Sequence, residues 1–113
     1  MDQKIAEKWV AALRSGEYKQ GQDRLKDGDR YCCLGVLCDL HAREHADYPY
    51  SHAADGVDTF YGNRVILPGV ALEWAGMSSP YGTVNGTTLV NINDRGATFD
   101  EIAGVIERQY TDL

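Results

Sequence analysis

Apolar residues recur at helical spacing at both ends of the chain. Ile5, Trp9, Val10 and Leu13 fall three and four apart behind Asp2, a residue suited to capping, so the first residues form an amphipathic helix. Ser15-Gly16 stops it, because glycine tolerates the left-handed terminating conformation. At the far end Phe99, Ile102, Val105, Ile106 and Tyr110 keep the same period. They follow Thr98-Phe99-Asp100-Glu101, a capping box in which Thr98 caps and Glu101 reaches back. In between, Cys33, Leu34, Leu37, Cys38, Leu40 and His41 give a broad apolar stripe that fades by Glu44. The spacing predicts a buried helix there, with a strand reaching Val36 as its rival. Pro68 suits the first turn of a further helix running to Gly76, with Val70, Leu72 or Ala71 and Trp74 inward.

Turn chemistry fills the gaps. Asp27-Gly28 predicts a hairpin between residues 22–26 and 29–32. Asn85-Gly86 predicts a second, in competition with a short helix capped by Thr88 and running through Leu89 and Ile92 to Gly96. Residues 64–67 read as a short strand or an extended approach to the Pro68 helix. Residues 46–63 read as a long loop carrying Tyr48, Tyr50, Phe60 and Tyr61. Loops of that length are uncommon in compact domains, and these aromatics need either the domain or a partner to pack on. The fold class is α+β: one domain over residues 1–113 with three main helices and one or two short hairpins or a small antiparallel sheet.

Composition narrows the class further. The 113 residues are 43% hydrophobic and 25% charged, ordinary values for one globular core. No apolar run approaches the roughly 20 residues needed to span a bilayer, and Met1-Asp2-Gln3-Lys4 is no signal-peptide start. Cys32, Cys33 and Cys38 are odd in number and crowded together, which suits free thiols in a reducing compartment better than a disulfide framework. The expected location is the cytoplasm. A net charge of −6, from 17 acidic and 11 basic residues, disfavours a nucleic-acid polymer as partner but leaves room for a local basic pocket.

Four clusters carry candidate chemistry. Cys32 or Cys33 at a helix start, with His41, His45 or His52 as base, would suit a thiol-dependent enzyme; the apolar flanks favour buried, inert thiols instead. Cys38, His41 and His45 share a helical face with Asp39 nearby, yet their spacing is no standard zinc motif. Arg14, Ser15, Tyr18 and Gln20 combine a cation for phosphate, a hydroxyl, a ring to stack on a base and an amide to read its edge. The plainer reading is a helix C-cap, with Arg14 complementing the helix dipole. Asn93 and Arg95 could line the same pocket, or belong to a turn closed by Gly96. No phosphate-binding glycine loop, nucleophile elbow or H-E-x-x-H is present, and no cofactor or metal is expected.

The segments running from Trp9 through Arg14-Ser15-Gly16-Glu17-Tyr18-Lys19-Gln20, and Cys32-Cys33-Leu34-Gly35-Val36-Leu37-Cys38-Asp39, resemble a family of small proteins encoded by bacteriophages and prophages. Leu67-Pro68, Glu73-Trp74-Ala75-Gly76, Asn93-Asp94-Arg95-Gly96 and Phe99-Asp100-Glu101-Ile102-Ala103 continue the resemblance along nearly the whole chain. It implies a phage accessory protein made in the host cytoplasm that disarms host defence. The leading expectation is a binding protein, not an enzyme, that sequesters a cyclic or otherwise modified nucleotide signal. Its site would be built from Arg14, Ser15, Tyr18, Gln20, Asn93 and Arg95. A small domain gains a deep pocket most easily between subunits, so a homo-oligomer is expected. The alternatives are an inhibitor docking on a host defence protein through residues 46–63, and a thiol-dependent enzyme.

Overall fold

The computed structural model of the chain describes residues 1–45, 51–52, 58–60 and 63–113. Helix α1 (Gln3–Arg14) leads into β1 (Lys19–Gln20), β2 (Lys26–Asp27) and β3 (Arg30–Tyr31), and then α2 (Cys33–Glu44). Two short strands, β4 (Ser51–His52) and β5 (Asp58–Thr59), precede α3 (Gly69–Ala75). The chain then forms β6 (Thr83–Val84), β7 (Thr87–Thr88), α4 (Leu89–Asp94) and α5 (Phe99–Gln109), with a 3₁₀ turn at Tyr110–Asp112. The result is an α+β domain in which the helices carry the core and the strands are two-residue clasps.

Helix α2 lies at the centre, buried from Cys33 to Cys38, with α1, α3 and α4 packed on it. The backbone is helical from Cys33 to Glu44, so the strand reading of Val36 falls, and the run of six shielded positions reflects a helix surrounded on several sides. Trp9 is fully buried, and its indole N–H donates to the Cys33 carbonyl at 2.9 Å, fixing α1 on the first turn of α2. Close approach on another side of α2 depends on Gly35. A Cβ there would stand 1.7 Å from the Leu25 carbonyl oxygen, which also accepts from the Cys32 N–H at 3.2 Å.

Both predicted hairpins form, the first with its turn one residue later than expected: Asp27 ends β2 opposite Arg30, Gly28-Asp29 makes the turn, and residues 22–25 lie outside the strand. At the second, Asn85 and Gly86 take φ of +50° and +75°, the paired left-handed values of a tight hairpin turn. The competing helix forms too, because Thr88 ends β7 and its hydroxyl accepts the Asn91 N–H at 3.1 Å to cap α4. Two expectations change. The small sheet is mixed, not antiparallel throughout: the order is β1-β3-β2, with β1 parallel to β3 and only β2 antiparallel to it. Residues 64–67 form no strand; the Arg64 carbonyl accepts from the Leu25 N–H, and the Leu67 N–H donates to the Pro80 carbonyl.

Within the expected loop at 46–63, β4 pairs antiparallel with β5, and Phe60 is fully buried against the domain. Tyr48, Tyr50 and Tyr61 lie outside the described residues. Among the described residues no helix is long and apolar enough to cross a membrane.

Candidate functional site

Asn93, on the last turn of α4, is completely buried and organises the polar interior of this end of the molecule. Its Nδ2 donates to the Gly21 carbonyl at 2.8 Å. Its Oδ1 accepts from Gln20 Nε2 at 3.0 Å and from the Cys33 N–H at 3.2 Å. That last donor belongs to the first turn of α2 and has no partner within its own helix, so Asn93 supplies it. Gln20 is equally committed. Its Nε2 also donates to the Ala97 carbonyl at 2.7 Å, and its Oε1 accepts the Phe99 N–H at the start of α5 at 3.1 Å. Gln20 and Asn93 therefore meet, as proposed from sequence, and they meet as a joint between β1, α2, α4 and α5.

The other four candidates point elsewhere. Ser15 Oγ donates to the Ala12 carbonyl at 2.6 Å and accepts the Glu17 N–H, closing the end of α1. Tyr18 is buried on the α2 side, its hydroxyl donating to Asp39 at 2.6 Å, its edge against Tyr31 and Arg43 stacked over its face. Burial, reinforced by the Asp39 carboxylate, pushes its hydroxyl well above the ordinary tyrosine range. Arg14 reaches across to α5, where Nε donates to Asp100 at 3.0 Å and Nη1 pairs with Glu107 at 2.8 Å. Arg95 ends α4, exposed, and its guanidinium makes no hydrogen bond or ion pair among the described residues.

Three shallow clefts meet at Ala97, in the connection between α4 and α5. One, of about 410 Å³, is lined by Gln20, Gln22 and Arg30. The second, about 440 Å³, runs between Arg14 and Arg108 over Gly104 and Val105. The third, about 570 Å³, holds Arg95, Asn91 and Thr87. The last two share Ile92, Ala97 and Glu101, so they form one groove along the α4–α5 seam. Its lining is apolar at Ile92, Ala97 and Val105, with Arg14 and Arg108 in one cleft, Arg95 in the other, and the carboxylates of Asp100 and Glu101 beside them. Arg14 and Arg95 thus line the two clefts of one groove, while Gln20 and Asn93 hold its floor from behind.

Arg30, Arg108, Asn91 and Thr87 were absent from the sequence-derived site. For Arg108 a signal existed: Gly104, one turn earlier, is a glycine inside a helix, where it costs about 1 kcal/mol against alanine and asks for a reason.

Residues 1–110 match the family described as a domain of unknown function, DUF8296. The chain belongs to that family. No curated protein and no solved structure matches it.

In this DUF8296 domain the thiols sit in the core. Burial pushes Cys32 up to about 11, and it raises Cys33 and Cys38 well above the ordinary thiol range. Cys33 Sγ lies 3.6 Å from the Leu89 carbonyl oxygen, with its S–H as donor. A nucleophilic thiol needs the opposite environment, open and electropositive. The His41 and His45 rings stack at 4.2 Å on α2, with the edge of Trp74 against both. Burial first, and the His45 ring second, hold His41 below the ordinary imidazole range. Among the described residues no three His, Cys, Asp or Glu side chains converge as metal ligands.

Proposed function

We infer that this DUF8296 domain is a binding protein that captures a nucleotide-derived signal, in the role of a phage-encoded accessory factor acting against host defence. The observation that carries this reading is the α4–α5 groove. In a chain of net charge −6, the guanidiniums of Arg95 and Arg108 flank an apolar floor and carry no ion-pair partner among the described residues. A ligand that combines phosphates with flat bases matches those groups. Ile92, Ala97 and Val105 would take a base face, the guanidiniums the phosphates, and Asn91 and Thr87 the base edges. The groove is open along one side, so a second copy of the chain would be needed to enclose the ligand, which supports a homo-oligomer. The buried, protonated thiols support binding without turnover.

Calorimetric titration with a panel of cyclic di- and trinucleotides and cyclic ADP-ribose isomers tests the reading, with ligand mass measured afterwards. The expected result is micromolar or tighter binding by a panel member recovered unchanged, from a protein that sediments as an oligomer. A changed mass would make the protein an enzyme. A monomer that binds nothing across the panel would end the nucleotide reading.

A further inference from the structure

We propose that Arg14 and Arg108, converging above Gly104, form a phosphate subsite at one end of the α4–α5 groove; this rests on, and deepens, the nucleotide reading. Arg14 is held by two carboxylates, yet they use only part of its donor fork. Nε goes to Asp100 and Nη1 to Glu107, and Nη2 is the nitrogen that faces Gly104. From the position a Cβ would take at Gly104, Arg14 Nη2 is 3.9 Å away and Arg108 Nη1 is 3.2 Å away. The two nitrogens therefore stand no more than about 7 Å apart, a gap that two oxygens of one phosphoryl group bridge with ordinary charge-assisted hydrogen bonds.

The carboxylates position Arg14 without filling the site. Arg108 makes no side-chain hydrogen bond or ion pair among the described residues, so its donors remain available. Gly104 completes the arrangement. A side chain there would stand against the Arg108 guanidinium and intrude on the space between the two cations, which glycine leaves open at some cost to the helix.

The test is a titration of the ¹⁵N-labelled protein with inorganic pyrophosphate, then orthophosphate, following backbone amides and arginine Nε–H signals. Saturable shifts centred on Gly104 and the Nε–H of Arg14 and Arg108 are expected. Arg108→Gln, an exposed change, should weaken binding by about tenfold or more. Lys19→Gln, at the exposed Lys19–Asp29 pair, should leave it unchanged. Shifts spread evenly over the cationic surface, or full affinity in Arg108→Gln, would overturn the subsite. The two readings fail separately. Pyrophosphate binding at Gly104 with no nucleotide bound keeps the subsite and removes the nucleotide. Nucleotide binding indifferent to Arg108→Gln does the reverse.

Discussion

Replacing Asn93 by alanine removes the joint that connects β1, α2, α4 and α5, and the structure gives its cost. Four hydrogen bonds disappear: those to the Gly21 carbonyl and the Asp94 carboxylate, from the Cys33 N–H and from Gln20 Nε2. Gln20 keeps its bond to the Ala97 carbonyl, so its loss is partial. The fully buried Cys33 N–H and the half-buried Gly21 carbonyl lose a partner, and an orphaned buried group costs about 1–3 kcal/mol. The expected total is about 3 kcal/mol, a large share of the roughly 5–15 kcal/mol that holds a domain folded. At about 4 °C per kcal/mol for a chain of this size, the melting temperature should fall by about 12 °C. Urea denaturation followed by circular dichroism measures it, and an unchanged slope would assign the effect to the native state. Asn93→Asp separates the roles: it keeps the acceptor for the Cys33 N–H but sets a carboxylate oxygen against the Gly21 carbonyl. It should be destabilised at pH 7 and recover part of the loss as acid protonates it. A cost below about 0.5 kcal/mol for Asn93→Ala would refute this account, since an orphaned buried N–H alone costs more.

Gly35→Ala places a methyl group 1.7 Å from the Leu25 carbonyl, and backbone cannot rotate away as a side chain can. The variant should lose more than about 4 kcal/mol or fail to fold; a melting temperature within a few degrees of the parent would contradict the close approach of the Leu25 backbone to α2. The three thiols should resist a colorimetric disulfide reagent at pH 8 in the native protein and all react once unfolded. One equivalent of rapid native labelling at Cys32 would revive the thiol enzyme. His41 makes stability depend on pH. Its folded value lies below the unfolded one of about 6.5, so above that pH it contributes no proton-linked penalty. As pH falls from 6.5 through the folded value, the unfolded chain takes up the proton first and stability drops. His45 and Glu44 are the titratable neighbours acting on it. Denaturation at pH 7.5, 6.5 and 5.5 should show the decline, and His41→Asn should flatten it; equal slopes in both proteins would count against it.

What could be read from the sequence was whatever a few neighbouring residues decide. The Asp2 cap, the Thr98–Glu101 box and the Asn85-Gly86 turn each satisfy their own backbone within three or four positions, and all are present. The rivalry at Thr88 dissolved because a strand can end on the residue that caps the next helix. Long-range geometry was out of reach. Gln20 and Asn93 were named together for their chemistry, but nothing local says that Gln20 spends its amide on Asn93, Ala97 and Phe99, residues 73 to 79 positions away. Tyr18 was grouped with Arg14 by adjacency, and the turn after α1 sends them to opposite sides, one to Asp39 and the other to Asp100. Periodicity marks the buried face of α5 and is silent about its polar face, which is where Arg108 was missed.

The joint and the groove share a wall, and that bears on how any binding defect is interpreted. Gln20 holds the Ala97 carbonyl and the Phe99 N–H, so it sets both the floor of the groove and the start of the helix that carries Gly104 and Arg108. A change at Gln20 or Asn93 would move that floor and weaken any ligand without touching it, and would lower stability in proportion. Arg95 and Arg108 hold nothing else in place among the described residues, so their loss should alter binding while the melting temperature stays put. Binding and stability measured side by side on Asn93→Ala and Arg108→Gln therefore separate contact from support. If both variants lost binding and stability together, the guanidiniums would belong to the fold, and the groove would be a seam between helices and nothing more.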